Sequence, residues 1–153
     1  MVPLFWVRPF RAEYMEDILR VEDASFGRFA YDRNLFAEYA RREGALFLVA
    51  GKGSRICGYA IACVRRGAFA RTAELVSIAV EPPARRQGLA SLLLENTLRR
   101  LRLRGIRRVA LTVRVENKRA QALYRRFGFH PERIVPRYYE DGKDGLRMAV
   151  QWE

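Results

Sequence analysis

The chain has 153 residues, of which 50% are hydrophobic and 30% are charged. This length and this apolar content predict one folded domain over residues 1–153 and exclude a disordered polypeptide, which lacks the apolar side chains that form a core. The formal net charge of +12 comes mainly from arginine, so a nucleic acid, a ribosomal surface, an acidic protein or a phosphate-bearing cofactor would each be a compatible partner.

Several kinds of site and location are excluded by what the sequence lacks. Cys57 and Cys63 lie too far apart along one apolar run to form a disulfide, and with a single histidine, His130, they do not have the spacing of a metal site. No segment reaches the roughly 18 consecutive apolar residues of a membrane span, and the start of the chain lacks the cleavage pattern of a secretory signal. The sequence therefore predicts a cytoplasmic protein with no metal site and no membrane contact.

The N-terminal half of the sequence predicts four strands and two helices. In chain order these are a strand over Val2–Arg8, a helix over Ala12–Glu22, a short helix from Asp32, a hairpin of strands Ala45–Ala50 and Arg55–Val64, and a strand over Ala73–Val80. Asp32 is placed to cap the second helix with its carboxylate. The segments Ser25–Phe29 and Gly51–Ser54 are expected to be a loop and a turn.

The C-terminal half predicts two more helices and three more strands. They are a leucine-striped helix from Leu89 to Leu101, a strand over Val109–Val115, a helix with apolar positions from Ala120 to Phe127, and strands over Ile134–Tyr139 and Leu146–Trp152. Gly105 and Gly128 are placed to end the two helices. The order of elements indicates an α/β (α+β) domain, with a mixed sheet and helices on its faces.

The segment Arg85-Arg86-Gln87-Gly88-Leu89-Ala90 stands between the strand that ends at Val80 and the leucine-striped helix. A helix N-terminus presents backbone N–H groups without partners and a partial positive charge, so a loop that enters it can wrap an anion. Gly88 permits close backbone approach, and the two arginines add mobile positive charge. The segment therefore predicts a diphosphate-binding loop.

Two other phosphate-binding patterns do not fit the sequence. The chain contains no G-x-x-x-x-G-K-[ST] motif, and Gly51-Lys52-Gly53 belongs to the predicted hairpin turn. Gly88 also lacks partner glycines at the offsets of a dinucleotide-binding fingerprint. Nucleotide hydrolysis and hydride transfer are thereby excluded.

The loop resembles the acyl-CoA-binding motif of the GNAT superfamily of N-acetyltransferases, whose pattern Q/R-x-x-G-x-G/A is met by Arg85, Gly88 and Ala90. Ser77-Ile78-Ala79-Val80 before the loop, and Asn117 with Ala120, Tyr124 and Gly128-Phe129 after it, also look like that superfamily. The resemblance covers essentially the whole chain. It implies a GNAT-like fold, with a mostly antiparallel central sheet of six to seven strands and about four helices.

The same resemblance implies acetyl-CoA as the cofactor and an enzyme that acetylates a primary amine by direct attack in a ternary complex. Backbone groups of Ile78 and Val80 are the implied partners of the pantetheine amides and the thioester oxygen, and Asn117 either bonds the pantetheine or caps its helix. Tyr124 occupies the family's position for the acid that protonates the leaving thiolate, and it also suits core packing. The full set expected to bind the cofactor is Ile78, Ala79, Val80, Arg85, Arg86, Gln87, Gly88, Leu89, Ala90, Ser91, Asn117, Ala120 and Tyr124.

An amine attacks a thioester only as the neutral species, so the enzyme needs a proton acceptor. Glu74 is a carboxylate in an otherwise apolar strand just before the loop, and burial would raise its pKa toward that of a useful base. The alternative for Glu74 is a carboxylate at the strand edge that faces solvent or pairs with an arginine. Similar ribosomal-protein enzymes typically carry a glutamate where this sequence has Thr112, so Glu74, a water molecule or a different substrate must account for the change.

Within the superfamily the chain is similar to the ribosomal-protein-alanine and related protein N-terminal acetyltransferases. The resembling pieces are Glu22 to Phe26, Leu111 to Asn117, and Arg137-Tyr138-Tyr139 followed by a turn and Met148. Tyr138 and Tyr139 are expected to flank a peptide N-terminus, and Phe26 with Tyr31 to wall the other side, with Glu74 beside the amine.

The sequence leaves alternatives open for the acceptor and for the class of protein. The acceptor could instead be a small amine or a lysine side chain. The chain could also be a basic RNA-binding or ribosome-binding module without catalysis, which its net positive charge favours. No base-stacking or groove-reading motif supports that last alternative. The sequence is compatible with association with the ribosome and with either a monomer or a homodimer.

Overall fold

A computed structural model describes residues 4–65 and 71–153. Within these residues the chain forms seven strands and four α-helices, with short 3-10 turns at Ala12–Tyr14, Gly27–Phe29 and Pro82–Ala84. In chain order the elements are β1 (Trp6–Pro9), α1 (Met15–Phe26), α2 (Arg33–Arg41), β2 (Ala45–Lys52), β3 (Arg55–Val64), β4 (Thr72–Val80), α3 (Leu89–Leu103), β5 (Arg108–Arg114), α4 (Lys118–Arg126), β6 (His130–Val135) and β7 (Gly145–Gln151).

The strands form one sheet in the order β1-β2-β3-β4-β5-β7-β6. The pairs β1/β2, β2/β3, β5/β7 and β6/β7 are antiparallel, and β4/β5 is parallel. The α3 helix lies in the connection between the two parallel strands, as a parallel pair requires. The predicted fold class, a mixed and mostly antiparallel sheet with about four helices, is confirmed.

The chain divides into two compact units, and the first comprises Met1–Cys63 and Val76–Arg100. Its core joins α1, α2, β2 and β3 through buried apolar side chains, among them Ile18, Phe36, Val49 and Tyr59. The ring of Phe36 meets the ring of Tyr59 edge-on, with 5.4 Å between their centroids. Edge-to-face packing of this kind adds to the stabilisation that burial itself supplies.

The second unit comprises Val64–Leu75 and Leu101–Glu153. In it the first half of β4 runs parallel to β5, and β7 lies antiparallel to β5 with Thr112 opposite Arg147. The inner positions of β5 and β7, including Val109, Leu111 and Met148, are buried. The expectation of a single domain over the whole chain stays a prediction.

Helix ends follow the sequence closely. The carboxylate of Asp32 accepts a hydrogen bond from the N–H of Leu35 at 2.9 Å, which confirms the predicted cap of α2. Gly105 and Gly128 take φ angles of +88° and +92° just beyond α3 and α4, a backbone conformation that glycine adopts without strain. Among the described helices, none is long and apolar enough to cross a membrane.

Two predicted boundaries in the first unit are wrong by a few residues, and a third falls outside the described residues. Val2, where the first strand was expected to begin, lies outside the described residues, and β1 runs from Trp6 to Pro9. Ser25 and Phe26, expected in a loop, form the end of α1, which stops where Gly27 takes a φ angle of +53°. Gly51 and Lys52 extend β2, so the hairpin turn is confined to Gly53 and Ser54.

The largest correction concerns the strand that was expected over Ile134–Tyr139. The strand β6 instead spans His130–Val135, and Tyr138 and Tyr139 lie in the connection to β7. Pro136 has no N–H to continue a ladder, and Arg137 has a φ angle of +50°, outside the extended region. These two residues end the strand and place the tyrosine pair on a loop.

Candidate active site

The loop between β4 and α3 has the backbone form of an anion-binding site. Arg86 and Gly88 take positive φ angles of +65° and +81°, whereas Gln87 between them has a negative φ angle. A backbone in which the sign of φ alternates in this way turns successive N–H groups toward one side and forms a concave anion site. The first helical bond of α3 runs from the N–H of Leu92 to the carbonyl of Gly88, so the amides of Leu89 and Ala90 precede the bonded ladder.

Space beside Gly88 is open. A Cβ built at this position would meet no atom within 4 Å, so the backbone is accessible from that side. Arg85, Arg86, Gln87 and Gly88 are exposed, whereas Leu89 is buried and anchors the start of α3. The residues present therefore fit a diphosphate, through backbone donors, the helix N-terminus and the exposed guanidinium of Arg86.

Two side chains of the loop bind the loop itself, which differs from the expectation of mobile charge. Arg85 donates from Nε to the carbonyl of Val80 at 2.8 Å, and its Nη2 lies 3.5 Å from Ser25 Oγ. Gln87 donates from Nε2 to the carbonyl of Pro83 at 3.1 Å. Arg85 is thus a brace between the end of β4 and the loop, and not a freely moving cation.

A buried ion-pair cluster supports the start of this loop and was not predicted. Glu81 is 3% exposed, and its carboxylate accepts hydrogen bonds from Arg55 at 2.8 Å and from Arg20. Burial opposes ionisation of Glu81, but the hydrogen bonds from Arg55 and Arg20 outweigh it and lower the pKa of the carboxyl group. The cluster ties α1 and β3 to the end of β4.

The second half of β4 carries Ser77, Ile78, Ala79 and Val80, the segment expected to meet the pantetheine. Ser77 and Ile78 are half-buried, and Ala79 and Val80 are buried. Ser77 Oγ lies 2.8 Å from the hydroxyl of Tyr59. The same hydroxyl of Tyr59 donates a hydrogen bond to a carboxylate on α1.

That carboxylate belongs to Glu22, which is 1% exposed and accepts hydrogen bonds from the hydroxyl of Tyr59 and from the N–H of Tyr31 at 2.9 Å. Burial raises the pKa of Glu22, and the hydrogen bonds from Tyr31 and Tyr59 only partly offset it. Burial also raises the pKa of Tyr59, so its hydroxyl stays protonated. One buried acid thus joins α1, β3, β4 and the segment before α2.

Phe26 and Tyr31, predicted to contact the acceptor, lie in different surroundings within the first unit. Phe26 ends α1 and is 40% exposed, so core packing does not explain it. Tyr31 is half-buried and packs edge-on against Phe36, with 5.9 Å between ring centroids. Its N–H is the donor to Glu22.

In the second unit, Glu74 forms an ion pair with Arg147 that spans three strands. Arg147 donates from Nη1 and Nη2 to the two carboxylate oxygens at 2.5 and 2.7 Å, and its Nη1 also lies 3.2 Å from Thr112 Oγ1. Both charged side chains are half-buried, and the bond with Glu74 raises the pKa of Arg147. The arginine partner, one of the alternatives raised for Glu74, is present.

Tyr138 and Tyr139 extend this group. The hydroxyl of Tyr139 donates to the carbonyl of Thr112 at 3.3 Å, and the ring of Tyr138 meets the ring of Tyr139 edge-on at 4.9 Å. Tyr138 is 51% exposed, whereas Tyr139 is half-buried. We call Glu74, Thr112, Tyr138, Tyr139 and Arg147 the acceptor cluster.

Close packing holds the acceptor cluster together at Gly145. A Cβ at this residue would lie 2.6 Å from Thr112 Cγ2 and 3.2 Å from Tyr138 Cβ. Only glycine allows the loop that carries Tyr138 to approach β5 so closely. Gly145 is the first residue of β7.

Tyr124, Asn117 and Ala120 lie at α4 in the same unit. Tyr124 is 7% exposed and packs against Phe129, with 5.7 Å between ring centroids. Burial raises the pKa of Tyr124, so its hydroxyl is protonated at neutral pH. Asn117 Oδ1 accepts a hydrogen bond from the N–H of Ala120 at 3.1 Å, so its side chain is the cap of α4.

The structure thus links Glu74 to Tyr138 and Tyr139 through Arg147 and Thr112, and the assignment of these residues to the acceptor stays a prediction. Sequence reasoning missed Arg147 and the partners of Glu22. A signal existed for each: Glu22 occupies the apolar stripe of its helix, and Arg147 stands between Leu146 and Met148 in an apolar strand. Arg147 lies 73 residues from its partner Glu74, and Glu22 lies 37 residues from its partner Tyr59. No local sequence pattern identifies partners at such separations.

The sequence pattern of the acetyltransferase (GNAT) family matches residues 11–129. The chain therefore belongs to the GNAT acetyltransferase family. It is an acetyltransferase, and its cofactor is acetyl-CoA.

Individual relatives are similar over most of their length. The chain is 30% identical to an N-alpha-acetyltransferase of Sulfolobus acidocaldarius, over 89% of this chain and 86% of the relative. It is 31% identical to a Bacillus subtilis protein provisionally assigned as a [ribosomal protein bS18]-alanine N-acetyltransferase, over 94% of this chain and 93% of the relative.

Among solved structures, the ribosomal-protein-S18-alanine N-acetyltransferase of Escherichia coli superposes with a TM-score of 0.86 at 28% identity. The superposition covers 97% of this chain and 94% of that one.

Proposed function

We propose that this acetyltransferase modifies the N-terminal α-amino group of a protein, in the manner of the ribosomal-protein-alanine acetyltransferases. The observation that carries the proposal is the similarity, across most of both chains, to relatives whose names specify α-amino or ribosomal-protein acetylation. The tyrosine pair of the second unit supports it, since Tyr138 is 51% exposed and offers apolar surface to a peptide.

Acetyl-CoA supplies a thioester, and the proposal includes direct attack by the amine in a ternary complex. The loop of Arg86, Gln87 and Gly88 with the N-terminus of α3 would hold the diphosphate, and the backbone of Ile78 and Val80 the pantetheine. Cys57 is not suited to form an acyl-enzyme, because its thiol is buried and burial raises its pKa.

The choice of an α-amino group also follows from the cost of removing a proton. The reference pKa of an α-amino group is about 8 and that of lysine about 10.4, so a lysine costs about 3 kcal/mol more to neutralise at the same pH. The acceptor cluster offers a modest base. Glu74 gives both oxygens to Arg147, but an ionised carboxylate has about four acceptor positions, and the remaining ones can accept from the ammonium or from a relaying water.

Tyr124 is the proposed donor to the leaving thiolate. Even at the ordinary pKa near 10 of a tyrosine, transfer of its proton to a thiolate of pKa about 8.5 costs about 2 kcal/mol, and burial increases that cost. Tyr124 is therefore better suited to donate a hydrogen bond that stabilises the developing negative charge than to give up its proton completely.

The test uses two short peptides of equal length. One has a free α-amino group and no lysine, and the other has a blocked N-terminus and one lysine. We expect a mass increase of one acetyl group on the first peptide only, and only when acetyl-CoA is present. Acetylation of the second peptide alone, or of a small polyamine alone, would reassign the acceptor and overturn the proposal.

Two other properties belong to the proposal and have their own measurements. The natural substrate is proposed to be a ribosomal protein, which mass spectrometry of ribosomal N-termini from cells with and without the enzyme would test. The oligomeric state, monomer or homodimer, is measured by light scattering. Catalysis distinguishes the protein from a basic binding module, and the family supports catalysis.

A further inference from the structure

A dense group of arginines lies where α3 ends and leads into β5. Six of the ten residues from Arg99 to Arg108 are arginine. Within the second unit, Arg102, Arg104 and Arg107 of this run are exposed, as is Arg71, which precedes β4. We call Arg71, Arg102, Arg104 and Arg107 the basic patch.

Backbone and ring contacts hold the basic patch together. The carbonyl of Arg71 accepts hydrogen bonds from the N–H groups of Arg107 and Arg108 at 2.7 and 3.1 Å. A Cβ at Gly105 would lie 3.7 Å from Arg71 Nη1, so the Arg71 side chain lies over the turn that follows Arg104. The four residues thus come from two chain segments that are hydrogen-bonded to each other.

The ring of Trp152 packs beneath Arg102 at one side of the basic patch. The guanidinium carbon of Arg102 lies 4.9 Å from the centroid of the Trp152 ring. The N–H of Trp152 donates to the carbonyl of Arg107 at 2.7 Å. A planar cation over an indole ring is therefore part of the same surface.

The charge of the patch is not neutralised within the described residues, where none of its four arginines takes part in an ion pair. Neighbouring arginines of the second unit behave differently, since Arg108 pairs with Glu132 and Arg114 with Asp141. Favourable interaction with the carboxyl end of α3 accounts for cations in its last turn, such as Arg102. It does not account for Arg71, which lies outside that helix.

We propose that the basic patch is a docking surface for the phosphate backbone of RNA. Guanidinium groups offer only donors, in a planar fork that matches phosphate oxygens, and a row of them without acidic partners suits a chain of regularly spaced anions. The Arg102–Trp152 pair adds planar groups on which an unpaired base stacks. The binding is independent of acetyl transfer and would retain the enzyme on particles that contain RNA.

The experiment measures binding of a fluorescent 20-nucleotide single-stranded RNA by anisotropy between 50 and 300 mM salt. The patch variant is R102Q/R104Q/R107Q, and the matched control is R119Q/R125Q/R133Q, which removes the same charge from other exposed positions of the second unit. Each lost phosphate contact lowers the salt slope by about 0.7. In the patch variant, we expect the slope of log affinity against log salt concentration to fall in magnitude by about 2, and the affinity near 0.1 M salt to fall about 100-fold. The control should stay within about threefold of the wild type.

Two further measurements separate a folding defect and a catalytic failure from the result. The charge-conserving variant R102K/R104K/R107K should keep the salt slope, and circular dichroism should show all variants folded. Acetylation of a free peptide should be equal in the wild type and the patch variant, so absence of any acetylation would overturn the proposed function and leave the RNA result standing.

Three outcomes would overturn the docking surface. Equal losses of RNA affinity in the two glutamine variants would show that RNA is attracted by the net charge of the protein and not by a specific site. No measurable binding at 150 mM salt would exclude a useful RNA affinity. Tighter binding of polyglutamate than of RNA would show that the patch is for an acidic protein.

Discussion

Arg147 holds Glu74 by two parallel hydrogen bonds, from Nη1 at 2.5 Å and from Nη2 at 2.7 Å. The pair links β7 to β4 past Thr112 of β5, and the same guanidinium reaches the Thr112 hydroxyl. Bidentate bonds of this type fix the orientation of both side chains. The carboxylate is therefore oriented by Arg147, and Thr112 is a partner of that arginine and not a base.

The first prediction concerns Glu74. In the variant E74Q, kcat for a peptide acceptor should fall by about 100-fold or more, because the amide cannot accept the proton of the amine or of a relaying water. The measurement is steady-state acetylation of a peptide with a free N-terminus. Affinity for CoA should not change.

The control is E132Q, which breaks a more exposed ion pair of the same sheet, a single hydrogen bond of 2.6 Å from Arg108 on β5 to Glu132 on β6. That variant should keep its activity within about twofold. If E74Q also retains nearly full activity, Glu74 is not the base, and solvent water takes the proton.

The second prediction concerns Gly88 and the cofactor. The change Gly88→Ala strains a residue at a φ angle of +81° and places a methyl group in the open space beside the loop, where the diphosphate is proposed to approach, so CoA affinity should fall about tenfold. Calorimetry with CoA measures it. Gly53→Ala is the control, because Gly53 also has a positive φ angle and open space around it but lies in the β2–β3 turn.

Both glycine variants should lose about 1 kcal/mol of stability from backbone strain. Only Gly88→Ala should lose affinity for CoA. Equal CoA affinity in the two variants would mean that the diphosphate does not bind at this loop.

The third prediction concerns Tyr124. In Tyr124→Phe, kcat should fall about 100-fold because the thiolate loses a hydrogen-bond donor, with little change in CoA affinity. Tyr14→Phe, which removes a hydroxyl from a half-buried tyrosine packed on Trp6, should leave kcat unchanged. An unaltered kcat in Tyr124→Phe would restrict this residue to packing against Phe129.

The fourth prediction uses the pKa of Glu22, which burial raises. Between the unfolded value of about 4.3 and the higher folded value, the folded state binds more protons, so the contribution of Glu22 to stability falls as pH rises through that interval. The free energy of unfolding of the wild type, minus that of E22Q, should therefore decrease with rising pH above about 4.3. Urea unfolding at several pH values measures it.

Glu81 should show the opposite sign, because its hydrogen bonds with Arg55 and Arg20 lower its pKa. The free energy of unfolding of the wild type, minus that of E81Q, should have its full value above about pH 4.3. It should decrease as pH falls through the lower pKa of Glu81 in the folded state. Parallel pH curves for E22Q and E81Q would contradict the assignment of opposite shifts.

Local signals were sufficient for the order of the elements and for most helix ends. Asp32, Gly105 and Gly128 act through bonds and backbone angles within a few residues of themselves, so the sequence predicts them well. The error at Ile134–Tyr139 arose because the apolar and aromatic residues favoured a strand, whereas Pro136 and the φ angle of Arg137 end it. Here the missing N–H of Pro136 and the positive φ angle of Arg137 outweighed the strand preference of the neighbouring apolar and aromatic residues.

The amino-acid sequence by itself determined the family, the acyl-CoA motif and the order of strands and helices, since these depend on residue type and short spacing. Only the tertiary structure decided that Arg147 is the partner of Glu74, that Arg85 braces its own loop, and that Glu22 reaches Tyr59. The physical reason is that a hydrogen bond or an ion pair depends on distances of a few ångströms between atoms. Strand pairing sets those distances for residues far apart in the chain, and no local pattern records them.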